Sequence, residues 1–365
     1  MTENLSYTYD TTGKKHQIVR VPNYHNVTID YGGILTCNDW DGAIGGIVCF
    51  RAKGLVQINA LGKIDASLKG YIGGPSLTST GYWDQSDGYQ GNGIFGSGVK
   101  NISNNGNAGG GGKRCSSGVW DGGGSGGGGG NGFSGGDGTG DCATAIGGFI
   151  VGSQFLTKLY LGGGGGSGAN GTFYGPFGTS GKGGEGGGII YFSCDSIHIL
   201  GQISSNGEKG GDAIGATYAL GGGGGGAGGS IYIFSSKTVA TGNNFITALG
   251  GLSGLGLQAG IGGTGGDGRI RIDAPSLTGT SLPPVGYNGI SYALIGTSTT
   301  QPLIKSTTQC WSILTFNKNI TAPGTSVTID VLSNSNLLLQ SNVSSGSILS
   351  ATNDTIKLKI SLLSD

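Results

Sequence analysis

The chain has 365 residues, of which 84 are glycine, and its 20 basic and 20 acidic side chains give no net charge. No basic stripe is available for phosphate groups, so nucleic acid is not an expected partner. The glycines come in blocks rather than at every third position, which excludes a collagen triple helix.

The uneven glycine content divides the chain. We predict an N-terminal segment of extended or strand character (1–30), a glycine-rich β-repeat body (31–275), a linker (276–300) and a C-terminal β module (301–365). The N-terminal residues lack the apolar stretch of a Sec signal, and no run of 18 apolar residues predicts a membrane span. We therefore expect an extracellular or virion-surface protein without a Sec signal peptide and without membrane insertion.

A unit recurs along the body: glycine, an alternating apolar strand, a short break and a second strand. It is seen in residues 45–66, 187–206, 229–250 and 268–279, with Ile189, Ile231 and Ile270 as predicted equivalents. Helical periodicity is missing and glycine disfavours helices. The prediction is an all-β fold whose body is either β-solenoid-like or irregular.

The glycine blocks, such as Gly126–Gly130, Gly162–Gly166 and Gly221–Gly226, allow two interpretations. One is a flexible linker. The other is polyglycine II, a left-handed threefold helix that has no internal hydrogen bonds and rises about 3.1 Å per residue. Its backbone groups must then bond to neighbouring helices. Polyglycine II is favoured because the blocks recur just before strands and are interrupted mostly by small residues.

After residue 300 the sequence alternates without glycine blocks, which predicts a small β-sandwich-like module. This module is too short for a large core of its own. The N-terminal strands predicted at Gln17–Val21 and Val27–Ile29, and the C-terminal strands at Val327–Val331 and Ile356–Ile360, offer unpaired edges. We therefore expect a homo-oligomer or a filament, with these strands as contacts between copies.

Signals for chemistry are weak. The six cysteines show no C-x-x-C spacing, which leaves buried thiols and disulfides both open. His198 alternates with isoleucines and is interpreted as an ordinary strand residue. The pairs Asp39/Asp41 and Asp84/Asp87 are candidates for a glycan-cleaving site, but each lies in turn-type sequence where aspartate is expected for backbone reasons. No catalytic residue, cofactor or metal is therefore predicted.

Aromatic residues in glycine-rich loops are the better candidates for function. They lie in residues 80–95 and 172–177, among polar turn residues that suit stacking on sugars and hydrogen bonding to them. Packing at the ends of the glycine blocks is the alternative explanation. The receptor-binding candidates are Tyr82, Trp83, Tyr89, Phe95, Phe173, Tyr174 and Phe177.

Residues 36–74, TCNDWDGAIGGIVCFRAKGLVQINALGKIDASLKGYIGG, with the glycine blocks after them, resemble glycine-rich bacterial surface and phage tail proteins. The blocks also resemble the polyglycine tips of T-even-type phage tail-fibre adhesins. Residues 322–343, APGTSVTIDVLSNSNLLLQSNV, look like a module that accompanies such proteins. The resemblance implies a rigid bundle of polyglycine II helices whose apical loops contact a host receptor.

These observations predict a non-enzymatic structural or adhesive protein of an extracellular filament, spore appendage, cell surface or phage tail. Its expected partners are copies of itself and a cell-surface glycan or outer-membrane receptor. The alternative is a glycan-processing β-solenoid enzyme, similar to a tailspike depolymerase.

Overall fold

The computed structural model describes most of residues 17–288 and shorter parts of residues 289–365. No helix occurs among the described residues, so the all-β prediction is confirmed for that part of the chain, which also contains no helical membrane span. The chain divides into two compact units, Met1–Asn288 and Gly289–Asp365. The described residues are 17–79, 86–115, 122–140, 143–171, 178–215, 220–257, 259–288, 296–299, 303–304, 313–314, 325–341, 343, 347–348 and 355–364.

Two parallel sheets form the framework of the first unit. The first sheet has the order β1-β4-β8-β12-β14-β16, and the second has the order β2-β5-β9-β13-β10-β6-β3 with β15 also on β13. Strands β7 and β11 form a separate antiparallel pair. In chain order the strands are β1 (Asn23–Tyr24), β2 (Val27–Ile29), β3 (Ile34–Thr36), β4 (Ile47–Ala52), β5 (Leu55–Ile58), β6 (Lys63–Asp65), β7 (Gly178–Thr179), β8 (Ile189–Cys194), β9 (Ser196–Ile199), β10 (Gln202–Ser204), β11 (Ile214–Gly215), β12 (Ser230–Ser235), β13 (Val239–Thr247), β14 (Arg269–Asp273), β15 (Leu277–Leu282) and β16 (Tyr287–Asn288).

A single hydrophobic core takes side chains from both sheets. Alternate residues of each strand point inward, so period-two sequences bury one face. Ile190, Ile231 and Ile270 lie side by side on successive strands and are each at most 1% exposed. Between the neighbouring strands β4 and β8, the rings of Phe50 and Phe192 stack with their centroids 4.8 Å apart.

Two predicted details of these strands are wrong. Ile231 pairs with Ile190, and Ile189 pairs with Ser230 instead. A shift of one residue matters because it would turn the inward set of side chains outward. The described residues 17–22 form no strand, so the strand predicted at Gln17–Val21 is wrong, whereas the strand predicted at Val27–Ile29 is confirmed.

Glycine-rich segments fill the sequence between strands, and their backbones are hydrogen-bonded to one another; together we call them the slab. Segment 221–229 shows the rule. Its amides donate in turn to three neighbouring segments, and every third residue returns to the same neighbour. Gly221, Gly224 and Ala227 donate to 169, 166 and 163; Gly223, Gly226 and Gly229 donate to 211, 208 and 205; Gly225 and Gly228 donate to 263 and 266.

The carbonyls of the same segment follow the same period. Residues 221, 224 and 227 accept from amides 181, 184 and 187, residues 222 and 225 accept from 126 and 129, and residues 223 and 226 accept from 254 and 251. Segment 221–229 therefore touches six neighbours, three as donor and three as acceptor. Segment 162–170 repeats this arrangement with its own neighbours.

The spacing of these segments leaves no room for side chains at most glycines. A Cβ on Gly224 would lie 2.0 Å from the carbonyl oxygen of Gly127, and a Cβ on Gly165 would lie 2.1 Å from that of Gly224. Both obstacles are backbone atoms, which cannot rotate away. Glycine is therefore required here by close approach of neighbouring backbones.

A few polar side chains replace backbone partners inside the slab. Asn107 is fully buried, and its Nδ2 donates to the carbonyls of Gly130 and Leu161 at 3.2 Å each. Its Oδ1 accepts from the amide of Ile94 at 3.0 Å. Ser125 Oγ likewise accepts from the amide of Gly222 at 3.0 Å. These contacts satisfy backbone groups that would otherwise be buried without partners.

The second unit contains an antiparallel sheet of order β17-β23-β20-β21, with β18 also on β23, and a separate pair β19-β22. The predicted strands Val327–Val331 and Ile356–Ile360 are confirmed, since they lie within β20 and β23. Val331, Val343 and Ile356 form a small buried cluster. The strands are β17 (Gly296–Thr299), β18 (Leu303–Ile304), β19 (Ile313–Leu314), β20 (Thr325–Ser333), β21 (Leu338–Gln340), β22 (Ser347–Ile348) and β23 (Thr355–Ser364).

The slab makes a direct prediction about stability. Gly224→Ala should destabilise the protein by at least the roughly 1–3 kcal/mol of overpacking, because the new methyl group meets backbone. Gly286→Ala is the matched control, since the nearest atom to its Cβ would be 3.8 Å away. By calorimetry we expect the melting temperature to fall by several degrees for Gly224→Ala and by less than a degree or so for the control. Equal melting temperatures for the two variants would contradict the close packing.

Candidate functional site

The residues that flank the two aromatic-rich segments of the sequence are hydrogen-bonded to one another, and we call these flanking residues the stems. The amide of Ser79 donates to the carbonyl of Gly178 at 2.9 Å, and Ser86 exchanges backbone hydrogen bonds of 2.8 and 2.9 Å with Asn170. Residues 79 and 86 flank segment 80–85, and residues 171 and 178 flank segment 172–177. Both segments are thus attached at one place on the slab.

Five of the seven candidate residues belong to these two segments and lie outside the described residues. They are Tyr82, Trp83, Phe173, Tyr174 and Phe177. Their assignment as binding residues stays a prediction. What the fold adds is the proximity of their stems, which 84 or more residues of sequence separate.

The stems are joined to buried residues at the edge of the slab. Asn170 bridges to Leu220, and Leu220 bridges to Leu257. Asn170 is 1% exposed and Leu220 is fully buried. Leu220 also lies against Gly178, where a Cβ would stand 2.4 Å from its Cδ1. The stems are therefore fixed by buried contacts.

Tyr89 lies within the slab rather than in a free loop. Its amide donates to Ser167 Oγ at 2.9 Å, and its carbonyl accepts from the Ser167 amide at 2.8 Å. Its half-buried ring has the ammonium of Lys100 at 5.2 Å from the ring centre, a distance at which a cation–π contact forms. Lys100 Nζ also donates to Ser86 Oγ, which ties Tyr89 to the stem region.

Phe95 lies in the turn 93–96, at the end of residues 86–96 that is away from the stems. It is 76% exposed in a tight turn closed by paired hydrogen bonds between Gly93 and Gly96. The extended residues 86–92 separate this turn from the stems by roughly 20 Å at about 3.1 Å per residue. Phe95 therefore does not share a site with the stems.

The carboxylates considered for catalysis have structural partners. Asp41 Oδ1 accepts from the amides of Ala43 and Ile44 at 2.8 Å each, and Asp39 pairs with Lys69. The contacts of Asp41 match the turn role that the sequence favoured, whereas the contact of Asp39 is an ion pair with a residue distant in sequence. Asp84 lies outside the described residues.

Asp87, next to the stem residue Ser86, holds two groups together. It binds Lys113 Nζ at 2.7 Å and the Arg114 amide at 3.0 Å. Burial raises the pKa of this carboxyl, but the hydrogen bonds from Lys113 and Arg114 outweigh burial and hold the pKa below its usual range. Asp87 is thus an ionised carboxylate that links the slab residues Lys113 and Arg114 to the chain beside the stems.

Four of the six cysteines lie in the described part of the chain. Cys37, Cys49 and Cys194 are free thiols, and Cys115 is disulfide-bonded. Burial raises the pKa of Cys194 to about 11, which suppresses its thiolate. His198 is an exposed residue of strand β9, as predicted, and no cluster of metal-ligating side chains occurs among the described residues.

The carboxylate of Asp87 gives a pH-dependent prediction. Because its pKa is lower in the folded state, its stabilisation is present at neutral pH and decreases as the pH falls below about 4 and through the folded-state pKa. Asp87→Asn should therefore melt below the wild type at pH 7, and the gap should narrow steadily as the pH is lowered below about 4. Asp30→Asn, at an exposed turn, is the control and should change little over this pH range. A gap of constant size would show that the charge of Asp87 is not responsible.

Comparisons with known proteins supply no relative: no protein-family model, no curated protein and no solved structure matches this chain.

Proposed function

We propose that this chain is a non-enzymatic adhesive and structural protein, exposed on a cell surface, extracellular filament, spore appendage or phage tail. In this proposal a β-solenoid carries a polyglycine II slab, and the slab presents receptor-binding loops. The receptor is a cell-surface glycan or an outer-membrane component. Copies of the chain also associate with one another.

The solenoid part of the proposal is supported by the order of the strands. Successive groups β4–β6, β8–β10 and β12–β13 place their first strands in the first sheet and their later strands in the second. Each group pairs in parallel with the next, as in β4 with β8 and β8 with β12. Stacked units that bury their faces against each other are the defining feature of a solenoid.

The polyglycine II part is supported by the three-residue period of the slab. A helix with three residues per turn returns to the same neighbour every third residue. Segment 221–229 does so toward its neighbours both as donor and as acceptor. A flexible linker would have neither a fixed period nor a fixed set of partners.

The adhesive role is carried by one observation, the adjoining stems at Ser79–Gly178 and Ser86–Asn170. Two loops rich in aromatic and polar residues then start from one rigid base. Binding residues are commonly found on loops held by a rigid scaffold, and aromatic rings beside Asp, Gln and Gly suit the faces of sugars. The slab interior consists mainly of close-packed backbone, so ligand contacts belong to its surface.

The test is binding to bacterial surface polysaccharides and outer-membrane preparations. Trp83→Ala and Tyr174→Ala, one in each loop, should weaken binding at least tenfold, because aromatic anchors dominate such contacts. Phe95→Ala is the control, since that ring is far from the stems, and should bind like the wild type. Unchanged binding in both loop variants would refute the loop site. Release of new reducing ends from the polysaccharide would instead support the glycan-processing alternative.

A further inference from the structure

The two parallel sheets have an open end at their first group of strands. Strand β1 is an end member of the first sheet, and β2 and β3 are the two end members of the second. Each of these strands therefore has one edge whose backbone N–H and C=O groups face no further strand in the described part of the chain. Such an edge is a template for one more strand.

A cleft of about 540 Å³ lies at this open end, between the two sheets. Val27, Ile29 and Leu35 line it from the second sheet and its approach, and Val48 and Phe50 line it from the first sheet. Ile29, Val48 and Phe50 also belong to the buried core. Protein interiors contain few voids larger than a water molecule, so a cleft that leads into the core is a place for further apolar side chains.

The chain enters the described fold beside this cleft. Gln17 is fixed there, because its Nε2 donates to the Gly45 carbonyl at 3.0 Å and its Oε1 accepts from the Gly45 amide at 2.9 Å. Val19 then lines the cleft, and the Pro22 carbonyl accepts from the Arg51 amide at 2.9 Å. The residues that precede Gln17 in the sequence therefore start at the mouth of the cleft.

Part of this preceding segment has the sequence of a strand with one apolar face. Leu5, Tyr7 and Tyr9 alternate with Ser6 and Thr8. This period of two is typical of a half-buried strand, and tyrosine and threonine both favour strands. Residues 5–9 thus offer three apolar side chains on one face and a backbone suited to pairing.

Residues 10–16 are long enough to bring this strand to the cleft. Seven residues span at most roughly 23–25 Å when extended, whereas two packed sheets lie only about 10 Å apart. These seven residues include Gly13 and two lysines, which suit a connection exposed to solvent.

We propose that residues 5–9 form a strand that caps the open end of the two sheets. Its backbone pairs with the free edge of the first group of strands, and Leu5, Tyr7 and Tyr9 fill the cleft. This inference goes beyond the proposed function: it needs only the two parallel sheets and does not use the receptor-binding loops.

A second copy of the chain is the competing occupant, since the sequence predicts Val27–Ile29 as a contact between copies. The chain's own segment is favoured by its short connection. A short flexible linker gives an effective concentration in the millimolar range, which exceeds the concentration of second copies in a micromolar solution. In this arrangement, self-association uses surfaces other than the open end.

The experiment is hydrogen exchange of the full chain, followed by mass spectrometry, at a micromolar concentration and at one a hundredfold higher. We expect the amides of residues 5–9 to exchange at least roughly tenfold more slowly than in a synthetic peptide of residues 1–16, and equally at both concentrations. Tyr7→Asn should remove this protection, because it replaces an apolar ring in the cleft by an amide without a partner.

Thr8→Asn is the matched control, since the same amide on the outward face should leave the protection as in the wild type. Circular dichroism checks that both variants fold, and sedimentation velocity gives the oligomeric state at each concentration. Exchange of residues 5–9 at the rate of the free peptide would overturn the proposal. Protection that Tyr7→Asn retains, or that appears only where copies associate, would overturn it as well, and the latter result would identify a second copy as the occupant.

Discussion

The structure depends on satisfying the backbone of long glycine runs without side chains. Each buried N–H and C=O group left without a partner would cost roughly 1–3 kcal/mol. The slab meets this requirement between segments, since Gly224 donates to Gly166 and accepts from Gly184. Such bonds form only if the segments lie close enough for glycine alone. The composition of the body follows from that one constraint.

The hydrophobic core solves a different problem at the ends of the same segments. Gly188 leads directly into β8, and Gly268 leads directly into β14. The first residues of these strands join the parallel sheets, where Ile190 and Ile270 are buried. The stacking of strands therefore sets the spacing at one end of the glycine segments. Hydrogen bonding within the slab continues that spacing away from the sheets.

The slab joins segments that are distant in sequence. Contacts such as that of Asn107 with Gly130 fix segments that are far apart in sequence. A substitution inside the slab is therefore expected to displace several segments. The residues that flank segments 80–85 and 172–177 meet on the slab, Ser79 with Gly178 and Ser86 with Asn170.

The sequence by itself determined the all-β class, the strands of the body and the presence of repeated glycine blocks. It did so because period-two alternation and the low helix propensity of glycine are local properties. It also identified the aromatic segments, but it did not show which of their residues lie near one another in the fold. Tyr89 and Phe95 lie in one sequence stretch with Trp83, yet the fold puts Phe95 at the far end of a slab segment.

Only the tertiary structure decided which segments are neighbours. A glycine run has no side chains to mark its three faces, so its sequence cannot tell that 221–229 lies between 163–169 and 205–211. The partner of Ile231 is Ile190 and not Ile189 for a similar reason, since both are buried isoleucines and only the register of the parallel strands distinguishes them. Ser79 and Gly178 lie together because the hydrogen bonds of the slab bring segments that are distant in sequence next to each other. Long-range hydrogen bonds, which local pattern does not encode, made that choice.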